Sequence, residues 1–176
     1  VYKRQLIALW LYYRKYKIPA LWLMDRIVIV VALLAAFIRI GNFFNSEIYG
    51  LPTSLPWGVE FVRDTLYDNA TGALLPTVPR HPTQFYEALS YLLIFIASFV
   101  FYRKRYMEIR DGFMFGFFMI ALFTARFLIE FVKNDQVAFE AGLSLNMGQL
   151  LSLPFIIAGI GLIIWTKAKP RYFSQE

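Results

Sequence analysis

AGLSLNMGQLLSLPFIIAGIGLIIWT, from Ala141 to Thr166, runs for 26 residues without a charged side chain. A helix rises about 1.5 Å per residue and the hydrocarbon core of a bilayer is about 30 Å thick, so roughly 20 apolar residues cross it. This stretch predicts a membrane-spanning helix at about 147–166. Working outward, three shorter uncharged stretches precede it: Ile27 to Ile38, Ala88 to Tyr102 and Gly112 to Ala125, of 12, 15 and 14 residues. They reach spanning length only by taking in Asp25, Arg26 and Arg39, Glu87, or Arg126 and Glu130. Charges inside the spans are therefore part of the design. The expected helices run at about 20–41, 83–102, 112–132 and 147–166, with a truncated one ending near Tyr13.

The composition agrees. Of 176 residues 59% are hydrophobic and 17% charged, against roughly 45–50% and 25% in soluble domains, and mean hydropathy is +0.51. A disordered or ordinary soluble chain is excluded. The absence of cysteine removes disulfides, thiolate metal sites and a cysteine nucleophile from these residues, and one histidine makes a metal site an unlikely expectation. No cofactor is expected. The net charge of +6 does not point to nucleic acid, because the basic residues sit in short clusters between apolar runs rather than on one face. The chain starts at Val1, with an apolar run at Leu6 to Leu11 that reads as the tail of a helix, so a fragment of a longer protein is expected.

Lys and Arg are retained on the cytoplasmic side during insertion. Taken in strict alternation, the connections carry ten basic residues on one side (Arg14, Lys15, Lys17, Arg103, Lys104, Arg105, Arg110, Lys167, Lys169, Arg171) and three on the other (Arg63, Arg80, Lys133). The asymmetry supports the span count and places the C-terminus in the cytoplasm. The expected fold is thus an all-α integral membrane protein, a polytopic bundle of four complete spans plus one truncated, read as a single transmembrane domain over 1–176. An extracytoplasmic insertion fills 42–84, rich in Pro and Gly. A connection of this length is usually functional or disordered. Within it Val59 to Arg63 suits a short strand and Asp68 to Gly72 a turn, so a small hairpin is expected.

The polar residues of the spans gather near the outer end. Arg39, Asn42, Asn45 and Glu47 close the first complete span, with Gly41 and Gly50 among them. An arginine fork offers paired, permanently charged donors to a phosphate. The alternative is that Arg39 snorkels to the surface while the others cap the helix. Arg126 and Glu130, four apart, share a helix face and can pair, either as a purely structural bridge or beside a shared anion. His81 precedes a span opened by Pro82, where it could cap the helix or transfer a proton, and Gln84 and Glu87 put an amide and a carboxylate on one face. Asn146 and Gln149 read as caps of the last span, and Gly112 and Gly116 as close helix packing.

Four of these segments resemble one family. Arg39-Ile40-Gly41-Asn42-Phe43-Phe44-Asn45-Ser46-Glu47-Ile48-Tyr49-Gly50 is similar to the signature of the prolipoprotein diacylglyceryl transferases, as are His81-Pro82-Thr83-Gln84-Phe85-Tyr86-Glu87, Arg126-Phe127 through Glu130-Phe131, and Met147-Gly148-Gln149-Leu150-Leu151-Ser152. Ile38 stands where the family usually has glycine. The resemblance implies a bacterial inner-membrane enzyme that moves the diacylglyceryl group of phosphatidylglycerol to the lipobox cysteine of prolipoprotein signal peptides, forming a thioether and releasing glycerol phosphate. It implies Arg39 and Arg126 as catalytic residues, and Asn42, Asn45, Glu47, Gly50, His81, Gln84, Glu87 and Glu130 as substrate-binding residues. The family's His-Gly-Gly motif, whose histidine is a proposed general base, belongs to a more N-terminal part, so the base is expected outside these residues. The rival expectation is a non-catalytic transporter or lipid- and anion-binding subunit.

Overall fold

The computed structural model describes residues 2–61, 77–133 and 145–167. Helix α1 covers Tyr2–Tyr16, α2 Ala20–Phe44, α3 Thr83–Arg105, α4 Phe113–Ile129 and α5 Met147–Lys167, with a 3-10 turn at Glu130–Val132 completing α4. The last four, counting that turn with α4, are long and apolar enough to cross a membrane. Among the described residues there are helices and isolated β-bridges but no ladder strand. The protein is an all-α, multi-pass membrane protein.

The expected boundaries lie within three residues of these helices. Of the expected hairpin, residues 62–76 lie outside the described residues, and Val59 pairs instead with Arg80. That bridge belongs to a small extended tie that also pairs Gly50 with Lys133 and Pro52 with Arg80. Through it the segment after α2 fastens the start of α3 to the end of α4.

Packing follows the helical period. Val28, Ala32 and Ala36 recur every four residues on one face of α2 and meet Tyr91 and Ile94 of α3 and Met114 and Phe118 of α4. Between α4 and α5, Gly116 and Gly159 abut so closely that a Cβ on either would lie about 3 Å from the other's carbonyl oxygen. Dispersion between close backbones is what holds helices together in lipid, where apolar contact alone gives no driving force. The small-residue reading of Gly116 is borne out, with α5 as the partner.

Asp25, buried within α2, accepts hydrogen bonds from the amides of Gly112 (2.7 Å) and Phe115 (2.8 Å). It caps the N-terminus of α4 from a neighbouring helix, satisfying donors that the chain leaves open there. The capping residue Gly112 itself has φ +92°, which glycine adopts without strain. Asp25→Ala is expected to cost about 2 kcal/mol, since bonds to a charged acceptor are lost and two amides are stranded. Thermal unfolding of the purified protein in detergent checks this; an unchanged midpoint would show the cap to be dispensable.

Candidate active site

The cluster opposite the basic helix ends is organised around Glu87, one turn into α3. The first turn of α3 is fixed from outside. Thr83 Oγ1 donates to the Ile48 carbonyl (3.0 Å) and Gln84 Nε2 to the Glu47 carbonyl (2.7 Å), while Gly50 N donates to His81 O (2.8 Å). These bonds hold a turn in which Ser46 and the β-branched Ile48 both have φ +58°. Such a conformation costs on the order of 1–3 kcal/mol and persists where its surroundings determine it. Gly50 has no room for a side chain, since a Cβ there would strike Val132 O, His81 Cβ and Thr83 Cγ2.

Glu87 is fully buried and lies between two cations. Its Oε2 is 2.8 Å from Arg39 Nε, and its Oε1 3.4 Å from Lys133 Nζ. Lys133, also buried, continues to Glu130 Oε2 at 3.5 Å. The Arg39 contact is one of charge, its angle lying outside that of a hydrogen bond. Among the described residues, Glu87 Oε2 and Gln84 Oε1 therefore remain buried acceptors with no hydrogen-bond donor. With its amide assigned to satisfy both neighbours, Asn42 accepts from Arg39 Nη1 (3.2 Å) and donates to Ile38 O (3.3 Å). The snorkelling alternative for Arg39 fails, because only 15% of its side chain is exposed.

Arg126 and Glu130 do not pair. Glu130 turns to Lys133, three residues on, and among the described residues Arg126 forms no ion pair. The physical reason is burial: Lys133 is drawn inward by its bridge to Gly50, and two carboxylates flank its ammonium there. Arg126 and Arg39 both lie within electrostatic reach of the Tyr91 hydroxyl, as does Glu87. The two arginines thus face the same part of the bundle, one from α2 and one from α4. The ion-paired residues are two cations, Arg39 and Lys133, and two carboxylates, Glu87 and Glu130; counting Arg126 beside them leaves one positive charge in excess among the described residues.

The remaining predicted residues divide. Asn45 and Glu47 have exposed side chains, and Glu47 reaches the cluster only through its carbonyl. His81 meets Tyr86: its Nδ1 lies 3.2 Å from the Tyr86 hydroxyl, which accepts from Trp57 Nε1 at 2.9 Å. The Tyr86 hydroxyl thus ties His81 to Trp57 across the start of α3. At α5, Gln149 N donates to Asn146 Oδ1 (3.0 Å) and Asn146 N to Gln149 Oε1 (3.2 Å), the reciprocal cap expected. Asn146 Nδ2 also reaches Glu130 O at 3.3 Å, and Gly148 lies so close to the Glu130 carboxylate that a Cβ would strike it. Lys133 and Tyr91 were missed by sequence reasoning. Their signals are spacing: Lys133 is three residues from Glu130 and Tyr91 four from Glu87, each on the same helical face.

Comparison with known proteins shows the family. Residues 4–165 match the family described as prolipoprotein diacylglyceryl transferase. A phosphatidylglycerol–prolipoprotein diacylglyceryl transferase of Tolumonas auensis is 44% identical over 168 residues, covering 94% of this chain and 60% of that protein. One from Porphyromonas gingivalis is 44% identical over 173 residues, with the same coverage, and one from Bacteroides fragilis 41% over 155, covering 88% and 52%. The chain thus spans 60% or less of the length of these relatives. With the family matched over nearly its whole length and an arginine-centred cluster formed by the matching motifs, the chain belongs to the prolipoprotein diacylglyceryl transferase family.

Proposed function

We propose that this chain forms part of an enzyme that transfers the diacylglyceryl group of phosphatidylglycerol to the lipobox cysteine of prolipoproteins, in the bacterial inner membrane with its C-terminus in the cytoplasm. The observation that carries this reading is that Arg39 and Arg126, from two spans, both act on the Tyr91 hydroxyl beside the buried ion pairs of Glu87, Lys133 and Glu130. Such a place suits a lipid phosphate. In the reaction the cysteine sulfur, as thiolate, forms a bond to the glyceryl carbon. The bond from that carbon to the phosphate oxygen breaks, and its electron pair leaves with glycerol phosphate. The thiol's proton passes to a base outside the described residues. Arg39 and Arg126 hold the phosphate and offset the charge it gains, electrostatic catalysis in a site poor in water. Glu87 and Lys133 position Arg39, and the tie through Gly50 fixes the depth of Lys133.

The test uses membranes carrying the complete reading frame, given phosphatidylglycerol and a lipobox peptide, with mass spectrometry of the peptide cysteine. A diacylglyceryl mass gain is expected, with Arg39→Ala lowering its rate by about 10²- to 10³-fold. Glu87 keeps Lys133 in that variant, so its charge is not stranded. No gain from folded, inserted protein would overturn the reading in favour of a non-catalytic lipid or anion binder.

A further inference from the structure

A second arrangement lies at the other end of the bundle. Arg105 is 18 residues beyond Glu87 on α3, about 27 Å along a helix, so the two ends sit at opposite faces of a bilayer. There a cavity of about 200 Å³ receives cations from three separate segments: Arg105 from the end of α3, Arg110 from the connection to α4, and Lys167 from the end of α5. Among the described residues Glu108 is the one carboxylate lining it, and it already faces Arg105 at 3.2 Å on the exposed side. Arg110 is half-buried and anchored by donating to the Thr166 carbonyl (3.4 Å). Among the described lining residues, two positive charges, those of Arg110 and Lys167, are left over.

Immediately inward is a second, almost wholly apolar cavity of about 210 Å³ between α3 and α4, lined by Ala97, Ser98 and Met114 among others. Phe101 and Phe113, whose ring centroids lie 5.7 Å apart, line both cavities, so the two adjoin across this ring pair. Ala97 lies eight residues before Arg105, about 12 Å deeper along α3. Cationic mouth at the helix ends, apolar slot one or two turns deeper: this order of polarity is that of a phospholipid seated in its own leaflet. Basic pockets between spans select anionic headgroups for this reason, and a free phosphate would gain nothing from the slot.

From these adjoining cavities we infer a binding site for an anionic glycerophospholipid, with its phosphate on Arg105, Arg110 and Lys167 and an acyl chain packed between α3 and α4 beside the Phe101 and Phe113 rings. The site is separate from the Arg39 cluster and does not depend on the transferase reading. The complete protein carrying this chain, reconstituted in phosphatidylcholine vesicles, is examined by electron paramagnetic resonance with chain-labelled phosphatidic acid and chain-labelled phosphatidylcholine. Wild type is expected to hold the acid preferentially, and each cation removed to weaken that preference by up to about fivefold. Arg110→Gln with Lys167→Gln should remove most of it. Lys167→Gln alone, on an exposed side chain, keeps the test valid if the pair fails to fold. Ala97→Phe, which fills the slot from an exposed position and leaves every charge in place, should also reduce it. Arg103→Gln with Lys104→Gln, on neighbouring residues that do not line the cavity, should leave it unchanged. Equal loss in this control pair would mean diffuse surface charge and overturn the site. An unaffected Ala97→Phe, or displacement of the lipid by millimolar inorganic phosphate, would mean an anion site without a lipid and overturn it as well.

Discussion

Glu87→Ala is expected to unfold the protein some 3–5 kcal/mol more easily than wild type, the largest stability loss of any single change at the cluster. The residue is fully buried with a cation on each side, and breaking a buried pair by deleting one partner leaves the other charge uncompensated. Lys133 retains Glu130, but Arg39 loses its ion-pair partner. Glu87→Gln keeps the volume and one acceptor and should cost less. The decisive comparison is the double change Glu87→Gln with Lys133→Met, which removes one charge of each sign and leaves the excess unaltered. It is expected to cost less than the two single changes summed, a coupling that a thermodynamic cycle reads directly from thermal unfolding in detergent. If the single and double changes simply add, Lys133 and Glu87 do not depend on each other, and the cluster is not organised as described.

That coupling also marks where sequence reading stopped. The spans were legible because lipid leaves a chain few choices: every backbone polar group must be bonded internally, so a long apolar stretch can only be a helix. Aligned polar spacing made Gln84 and Glu87, or Asn146 and Gln149, readable as shared faces. Pairing was not legible. Spacing of four made Arg126 the natural partner of Glu130, yet the tie between Gly50 and Lys133 brings a residue counted as a loop cation into the bundle. This tie depends on a turn with Ile48 at positive φ, which no local preference of isoleucine would announce. Asn45 and Glu47 show the converse. Their place in a motif suggested side-chain roles, whereas the structure uses the Glu47 carbonyl to seat Gln84.

Arg126 is expected to matter for rate and hardly at all for stability, the opposite profile to Glu87. Among the described residues it forms no ion pair, so removing its charge strands no carboxylate and relieves the positive excess of the cluster. Arg126→Gln should therefore unfold within about 0.5 kcal/mol of wild type, as changes away from buried networks do. On the proposed reaction it should slow transfer by about 10²- to 10³-fold, the scale seen when one preorganised donor to a developing oxyanion is lost. Arg126→Lys should recover part of the rate, since a point charge still attracts phosphate but cannot present two parallel donors. Exchanging the two residues, Arg126→Glu with Glu130→Arg, separates the roles further. A purely structural bridge would survive the exchange, whereas here it removes the guanidinium at position 126 and puts one beside Lys133, and activity should vanish. Transfer of diacylglyceryl to a lipobox peptide, measured beside thermal unfolding, reads both halves. Normal activity in the exchanged protein would remove Arg126 from the reaction and leave Arg39 as the sole phosphate ligand contributed by this cluster.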